Sequence, residues 1–123
     1  MKILLIDDDE DIHLIAKTAL EESGTYQVIS ARTGNEGLKM AEIHSPDLIL
    51  LDKMLPDIDG KTLMEGLKSS RSSTETPIIF LTGKNDQDTI TDLISAGAEA
   101  VITKPFNPEL LADQITQIMN ESR

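Results

Sequence analysis

LILLDKMLPDIDG, residues 48–60, decides how this chain folds. Leu48 to Leu51 is an unbroken apolar run that ends in an acid, Asp52. An uninterrupted run of this length, as opposed to an alternating one, suits a strand buried on both faces, the environment of a parallel sheet. Ile3 to Ile6, Ile78 to Leu81, and Val101 with Ile102 have the same character. Tyr26 to Ser30 is a fifth candidate, and its greater polarity suits an edge.

Between these runs the apolar period changes to that of a helix. Ile12, Ile15, Ala16, Ala19 and Leu20 form one stripe, and Leu111, Ile115, Ile118 and Met119 form another. Leu63, Met64 and Leu67, then Ile90, Leu93 and Ile94, repeat the spacing, while Gly34, Gly37, Leu38 and Ala41 carry it weakly. Asp59 is placed to cap the third helix, Gly24 to end the first and Pro108 to open the last. The polar stretch from Ser69 to Thr76 reads as a surface loop. Strict alternation of five strands with five helices predicts a three-layer, doubly wound α/β domain with right-handed crossovers and helices on both faces of the sheet.

At 123 residues the chain has the length of one compact domain. It contains no cysteine, so neither disulfides nor thiolate metal sites are available, which fits a cytoplasmic location. No apolar stretch approaches the roughly 20 residues of a membrane span. Eleven basic against 22 acidic residues give a net charge of -11, which repels nucleic acid and anionic lipid. Direct DNA binding by these residues is therefore not expected.

In a parallel sheet the carboxyl ends of all strands share one rim, and ligands bind there. Asp7 and Asp8 follow the first run, Asp52 the third, Thr82 the fourth, and Thr103 with Lys104 the fifth. Any one of these residues alone is ordinary, since an acid after a strand commonly caps the next helix and a terminal Thr or Lys is usually solvated. Together they bring three carboxylates, a hydroxyl and an ammonium to one place. Two unit charges about 5 Å apart repel by roughly 3 kcal/mol at an effective dielectric near 20, so the acids need a proton or a cation between them. With only oxygen donors on offer, a hard divalent ion of the magnesium type is the natural occupant. A carboxylate held beside such an ion, an ammonium and a hydroxyl is arranged to attack phosphorus. Asp52 is the candidate nucleophile, with Asp7 and Asp8 as metal ligands.

LLIDDD with Asp7 and Asp8, LILLDKMLPDIDG with Asp52, Pro56 and Gly60, IIFLTG with Thr82 and Gly83, and ITKPF with Lys104, Pro105 and Phe106 occur here in one order and spacing. In these the chain resembles, over its full length, the receiver domain of two-component response regulators, of the chemotaxis-regulator type. The resemblance implies a flavodoxin-like sheet in the order 2-1-3-4-5 and a single receiver domain over residues 1–123 with no output domain present. It implies that Asp52 accepts a phosphoryl group from a phosphohistidine of a sensor histidine kinase or phosphotransfer protein. It also implies that Asp8, Asp52 and the backbone carbonyl of Met54 ligate Mg²⁺, with Asp7 acting through a water. Lys104 would bind a phosphoryl oxygen, Thr82 would swing toward it, Gly83 would leave room, and Lys104-Pro105 would be a cis peptide. Such a protein is a phosphoacceptor, with no enzymatic activity beyond self-catalysed phosphoryl transfer and hydrolysis. It passes its signal to a downstream protein or a missing output domain through the face of the last two helices.

Two departures from the family pattern stand out. Val101 occupies a position on the fifth strand where the family has an aromatic residue, which leaves a linked threonine and aromatic rotamer change without its second partner. From residue 85 to 123 the only bases are Lys104 and Arg123. The reciprocal ion pairs by which the DNA-binding branch of the family dimerises have no cations here, so a monomer or weak dimer is expected even when phosphorylated. Met54 and Lys84 flank the site at positions that tune acyl phosphate hydrolysis in the family; apolar Met54 would not position a water, and slow decay is expected.

The remaining polar residues read as unremarkable. His13 lies off the predicted stripe and His44 ends the second helix, so both are expected in solvent. Asp9, Glu10 and Asp11 suit the start of the first helix, and Asp57 reads as an ordinary loop acid. A phosphohydrolase of the haloacid dehalogenase type would place its nucleophile after the first strand in an Asp-x-Asp-x-Thr or Val pattern. Asp7-Asp8-Asp9-Glu10-Asp11 fails at the last position and leaves Asp52 without a role. A phosphorylation-independent interaction module would not need the acids together with Thr82 and Lys104.

Overall fold

A computed structural model describes residues 1–83 and 86–121. The elements alternate without exception: β1 (Lys2–Ile6), α1 (Glu10–Glu22), β2 (Gln27–Ala31), α2 (Gly34–His44), β3 (Leu48–Asp52), α3 (Gly60–Ser69), β4 (Ile78–Thr82), α4 (Gln87–Ser95), β5 (Ala100–Thr103) and α5 (Pro108–Glu121). All pairings are parallel and the strand order is β2-β1-β3-β4-β5, as expected. The polar second strand lies at one edge and β5 at the other.

The apolar runs are continuous because both faces of the sheet are covered. Ile3, Leu5, Leu48, Leu50, Ile79 and Leu81 join the core beneath α1 and α5. Their neighbours Leu4, Ile6, Ile49, Leu51, Ile78 and Phe80 join the core beneath α2, α3 and α4. Alternate side chains of one strand thus feed opposite cores. All of these side chains are fully excluded from solvent. At about 1.5–3 kcal/mol per large apolar side chain, the sheet is the principal source of stability.

Local signals end the helices where predicted. Asp59 accepts from the backbone N–H of Lys61 at 3.1 Å and caps α3. Asp9 accepts from Asp11 N–H at 2.9 Å and caps α1. Gly24 takes φ +78° just beyond α1, a conformation that favours glycine. Pro108 opens α5, where its missing N–H costs no helical hydrogen bond. In the loop that follows α3, Ser73 is buried and its hydroxyl donates to the carbonyl of Leu67 at 2.6 Å, tying the loop to the helix it leaves.

Three sequence expectations need correction. Strand β2 runs over Gln27–Ala31 rather than Tyr26 to Ser30, and Tyr26, just ahead of it, is buried with its hydroxyl paired to Thr116 Oγ1 of α5 at 2.6 Å. The buried face of α1 is His13, Ala16 and Leu20, with Ile12 packed beside it, whereas Ile15 is 40% exposed. His13 is therefore in the interior, not in solvent: it lies three residues before Ala16 on the same ridge. Asp57 is not an idle loop acid either. Its two oxygens accept from the N–H groups of Gly34 at 2.8 Å and Asn35 at 3.0 Å, joining the β3–α3 loop to the start of α2. Those donors hold its carboxyl below the ordinary value of 3.8.

Candidate phosphoacceptor and metal site

Register alone assembles the site. Ile6 stands opposite Leu51, so Asp7, the next residue, comes alongside Asp52. Asp52 stands opposite Leu81, and Thr82 opposite Thr103, so Lys104 follows on the outer side. Asp7, Asp52 and Lys104 continue the alternation of Leu5, Leu50 and Ile102 and lie on one side of the rim. Thr82 follows Phe80 in phase and is buried. Each position is the last residue of a strand or lies within two residues of its end.

Lys104 Nζ donates to Asp7 Oδ2 at 2.7 Å and lies 3.7 Å from Asp52 Oδ1. Its backbone N–H donates to the carbonyl of Thr82 at 2.8 Å, which locks β5 to β4 at the last rung. The bond from Lys104 to Pro105 is cis, as expected. Asp7 is fully buried, and its other oxygen, Oδ1, accepts from Asp9 N–H at 2.9 Å. Asp52 Oδ1 accepts from Met54 N–H at 3.3 Å. Asp8 is exposed and Met54 is 68% exposed, so the site opens outward beside them. Lys84 lies outside the described residues.

One oxygen from each of Asp7, Asp8 and Asp52 lies within 4.8 Å of the others. Among the described residues, three carboxylates stand against one ammonium, and the donors of the cluster are all oxygens, so the group fits a hard divalent cation. Burial, followed by the charge of Asp7, pushes the Asp52 carboxyl above its ordinary value of 3.8, against the pull of Lys104 and the Met54 N–H. The native state therefore binds this proton more tightly than the unfolded chain. Ionised Asp52 costs stability above its folded pKa, and that cost is relieved as pH falls toward the unfolded value. Asp52→Asn should accordingly stabilise the metal-free protein at pH 7 by roughly 1–3 kcal/mol, the scale of carboxylate repulsion at this spacing. Urea denaturation at pH 7 and pH 4 checks this: the advantage should shrink at the lower pH, and a variant less stable than wild type at pH 7 would contradict it.

Sequence reasoning missed two residues that support the site. His13 Nε2 lies 2.6 Å from the backbone carbonyl of Asp7, directly behind the acid pair. Asp57 anchors the loop that leaves Asp52. Neither contact has a local sequence signal, because each joins residues whose proximity only the assembled sheet creates.

The family model for the response regulator receiver domain matches residues 3–116. The alkaline phosphatase synthesis transcriptional regulatory protein PhoP of Bacillus subtilis is 39% identical over 121 residues, which cover 98% of this chain and 49% of that protein. The phosphate regulon transcriptional regulatory protein PhoB of Pseudomonas aeruginosa is 34% identical over 120 residues, 98% of this chain and 52% of that one. The chain thus spans about half the length of these curated relatives. Among solved structures, the chemotaxis response regulator CheY4 of Vibrio cholerae superposes with a TM-score of 0.88 at 28% identity, over 95% of this chain and 97% of its own. A CheY-like response regulator receiver domain protein from Methanospirillum hungatei gives 0.85 at 36% identity, over 98% and 94%.

Proposed function

The chain belongs to the response regulator receiver domain family, and from that premise we propose that it is a phosphorylation-operated switch in which Asp52 is the phosphoacceptor. The observation that carries this reading is the meeting of Asp7, Asp8 and Asp52 around a space that one lysine, Lys104, borders. In the proposed reaction a carboxylate oxygen of Asp52 attacks the phosphorus of a phosphohistidine on a sensor kinase or phosphotransfer protein. The new O–P bond forms as the N–P bond breaks, and its electron pair stays on the imidazole nitrogen of the donor. Lys104 neutralises charge on the phosphoryl oxygens, and the hydroxyl of Thr82 donates to one of them.

Mg²⁺ would be held by Asp8, Asp52 and the carbonyl of Met54, and would supply charge neutralisation of the transferring group. Asp7 suits a supporting place, because both its oxygens already accept hydrogen bonds, from Asp9 and Lys104. The chain itself then acts as a signalling component of the cytoplasm, and its only chemistry is transfer to and loss from Asp52.

Transfer from a protein donor needs a docking surface near the rim. A groove of about 610 Å³ runs between α1 and α5, lined in part by Leu14, Ile15, Ala19, Pro108 and Ala112. Leu14 is 69% and Ile15 40% exposed, and side by side in this groove they suit burial against an incoming helix. On the signalling side, a shift of Thr82 and Lys104 toward the phosphoryl group would pull on the loops after β4 and β5 and so on α4 and α5. Val101 packs against the core beneath α2, α3 and α4, and as a small aliphatic residue it would take a lesser part in that movement. A downstream protein, or an output domain elsewhere in a longer chain, would read the change. The acidic character of this half of the molecule favours a monomer or weak dimer over pairing through reciprocal salt bridges.

Incubation with radiolabelled acetyl phosphate and Mg²⁺ tests the assignment. Wild type should be labelled and Asp52→Asn should remain at background, with labelling of wild type lost on chelation by EDTA. Equal labelling of the two proteins would overturn it.

A further inference from the structure

His13 is 3% exposed, on the face of α1 that meets the sheet, and no apolar requirement explains a histidine there. Its Nε2 lies 2.6 Å from the backbone carbonyl of Asp7, and Nδ1 meets no hydrogen-bond partner among the described residues. A carbonyl can only accept, so Nε2 carries the hydrogen.

That hydrogen bond bears on the residue that begins the acid pair. The Asp7 backbone is held on its other side by its own N–H, which donates to the carbonyl of Ala31 at 3.0 Å. Its side chain is held by Asp9 N–H and by Lys104. Ala31 fixes the amide, His13 the carbonyl, and Asp9 with Lys104 the carboxylate. Because the Asp7 carbonyl belongs to the peptide that leads into Asp8, the direction of the His13 bond also sets the course of the chain into Asp8. Of the three acids, Asp8 alone is exposed, and it has no strand neighbour to orient it.

We propose that His13 is a positioning residue for the acid cluster: through Nε2–H it fixes the Asp7–Asp8 peptide and thereby aims the Asp8 carboxylate at the cation that Asp52 shares. This rests on the reading of the cluster as a divalent metal site. Outer partners of metal ligands typically set affinity by about 10-fold or more, although they never touch the ion.

Two variants separate positioning from packing. His13→Gln keeps an N–H donor near the position of Nε2, whereas His13→Phe keeps the bulk and removes the donor. Mg²⁺ affinity, measured by isothermal titration calorimetry, should fall about 10-fold in His13→Phe and stay close to wild type in His13→Gln. Amide hydrogen exchange at Asp8 and Asp9, followed without metal, should quicken in His13→Phe and recover in His13→Gln. Unchanged affinity and exchange in a folded His13→Phe would overturn the proposal, and so would a folded His13→Gln that behaved like it. If wild type bound no Mg²⁺ while exchange followed the expected order, the metal reading would fall and the positioning of Asp7–Asp8 would stand. Unchanged exchange would overturn the positioning whether or not Mg²⁺ bound.

Discussion

Lys104→Met should lower folding stability by about 3 kcal/mol or more, because it strips the cation from a carboxylate that has no access to water. Asp7 is fully buried, and Lys104 Nζ at 2.7 Å supplies its only charged partner among the described residues. Methionine keeps the length and apolar stem of lysine, so lost packing contributes little. Among the described residues, what remains is Asp7 and Asp52 with the Asp9 N–H and the Met54 N–H as hydrogen-bond donors and no cation. Urea denaturation measures the loss, and a second variant identifies its source. Asp7→Asn in the Lys104→Met background should recover a large share of the stability, since a neutral amide no longer needs the ammonium. Additivity of the two substitutions would show that the ion pair is not the cause. A Lys104→Met protein within about 1 kcal/mol of wild type would place the pair with ordinary surface salt bridges. The same change should slow labelling by acetyl phosphate by about 10²-fold, the usual scale for loss of one charge-stabilising donor.

The contrast between Lys104 and His13 shows why one was legible in the sequence and the other was not. Lys104 follows a strand, and every residue that follows a strand of a parallel sheet lands on the same rim, so its neighbours could be named by counting. Asp7 and Asp8 also follow a strand, and Asp52 and Thr82 are the last residues of theirs. The unbroken runs at Ile3, Leu48 and Ile78 gave the strands for a related reason: burial on both faces removes polar residues from every position. His13 lies within a helix, where the period of apolar residues is the only guide to the buried face. Ile15 draws the predicted stripe to one side and leaves the polar ring of His13 off it. The buried face is instead centred on Ala16 and Leu20, and the ring is accommodated because a carbonyl of the neighbouring strand end meets it. Asp57 and Tyr26 follow the same logic, since their partners are Gly34, Asn35 and Thr116, far away along the chain. Residues whose role depends on one long-range hydrogen bond leave no periodic trace.

Gly60→Ala, at the first residue of α3, should be a strongly damaging single-methyl change. A Cβ at Gly60 would lie 2.7 Å from the carbonyl oxygen of Asp52, 2.7 Å from Lys53 Cα and 2.9 Å from the Lys53 carbonyl. All three are backbone atoms, so no side chain can turn aside to make room. The approach is this close because the loop folds back on itself: Gly60 N–H donates to the Lys53 carbonyl at 2.8 Å, and Met54 bridges Asp59. Relief requires α3 to move away from the end of β3, which breaks that hydrogen bond and shifts the peptides that carry Asp52 and Met54. A cost of about 1–3 kcal/mol is expected from the overlap, and on the proposed function Mg²⁺ affinity and acetyl phosphate labelling should fall with it, because the peptides of Asp52 and Met54 move. Gly66→Ala in the same helix is the matched control. Its Cβ would meet only Leu38 Cδ2 at 3.8 Å, so the gain in helix propensity, about 0.5–1 kcal/mol, should appear undiminished. Urea denaturation of the two variants should therefore move in opposite directions from wild type. A Gly60→Ala protein as stable as Gly66→Ala would mean that the contact between α3 and the Asp52 peptide does not constrain the site.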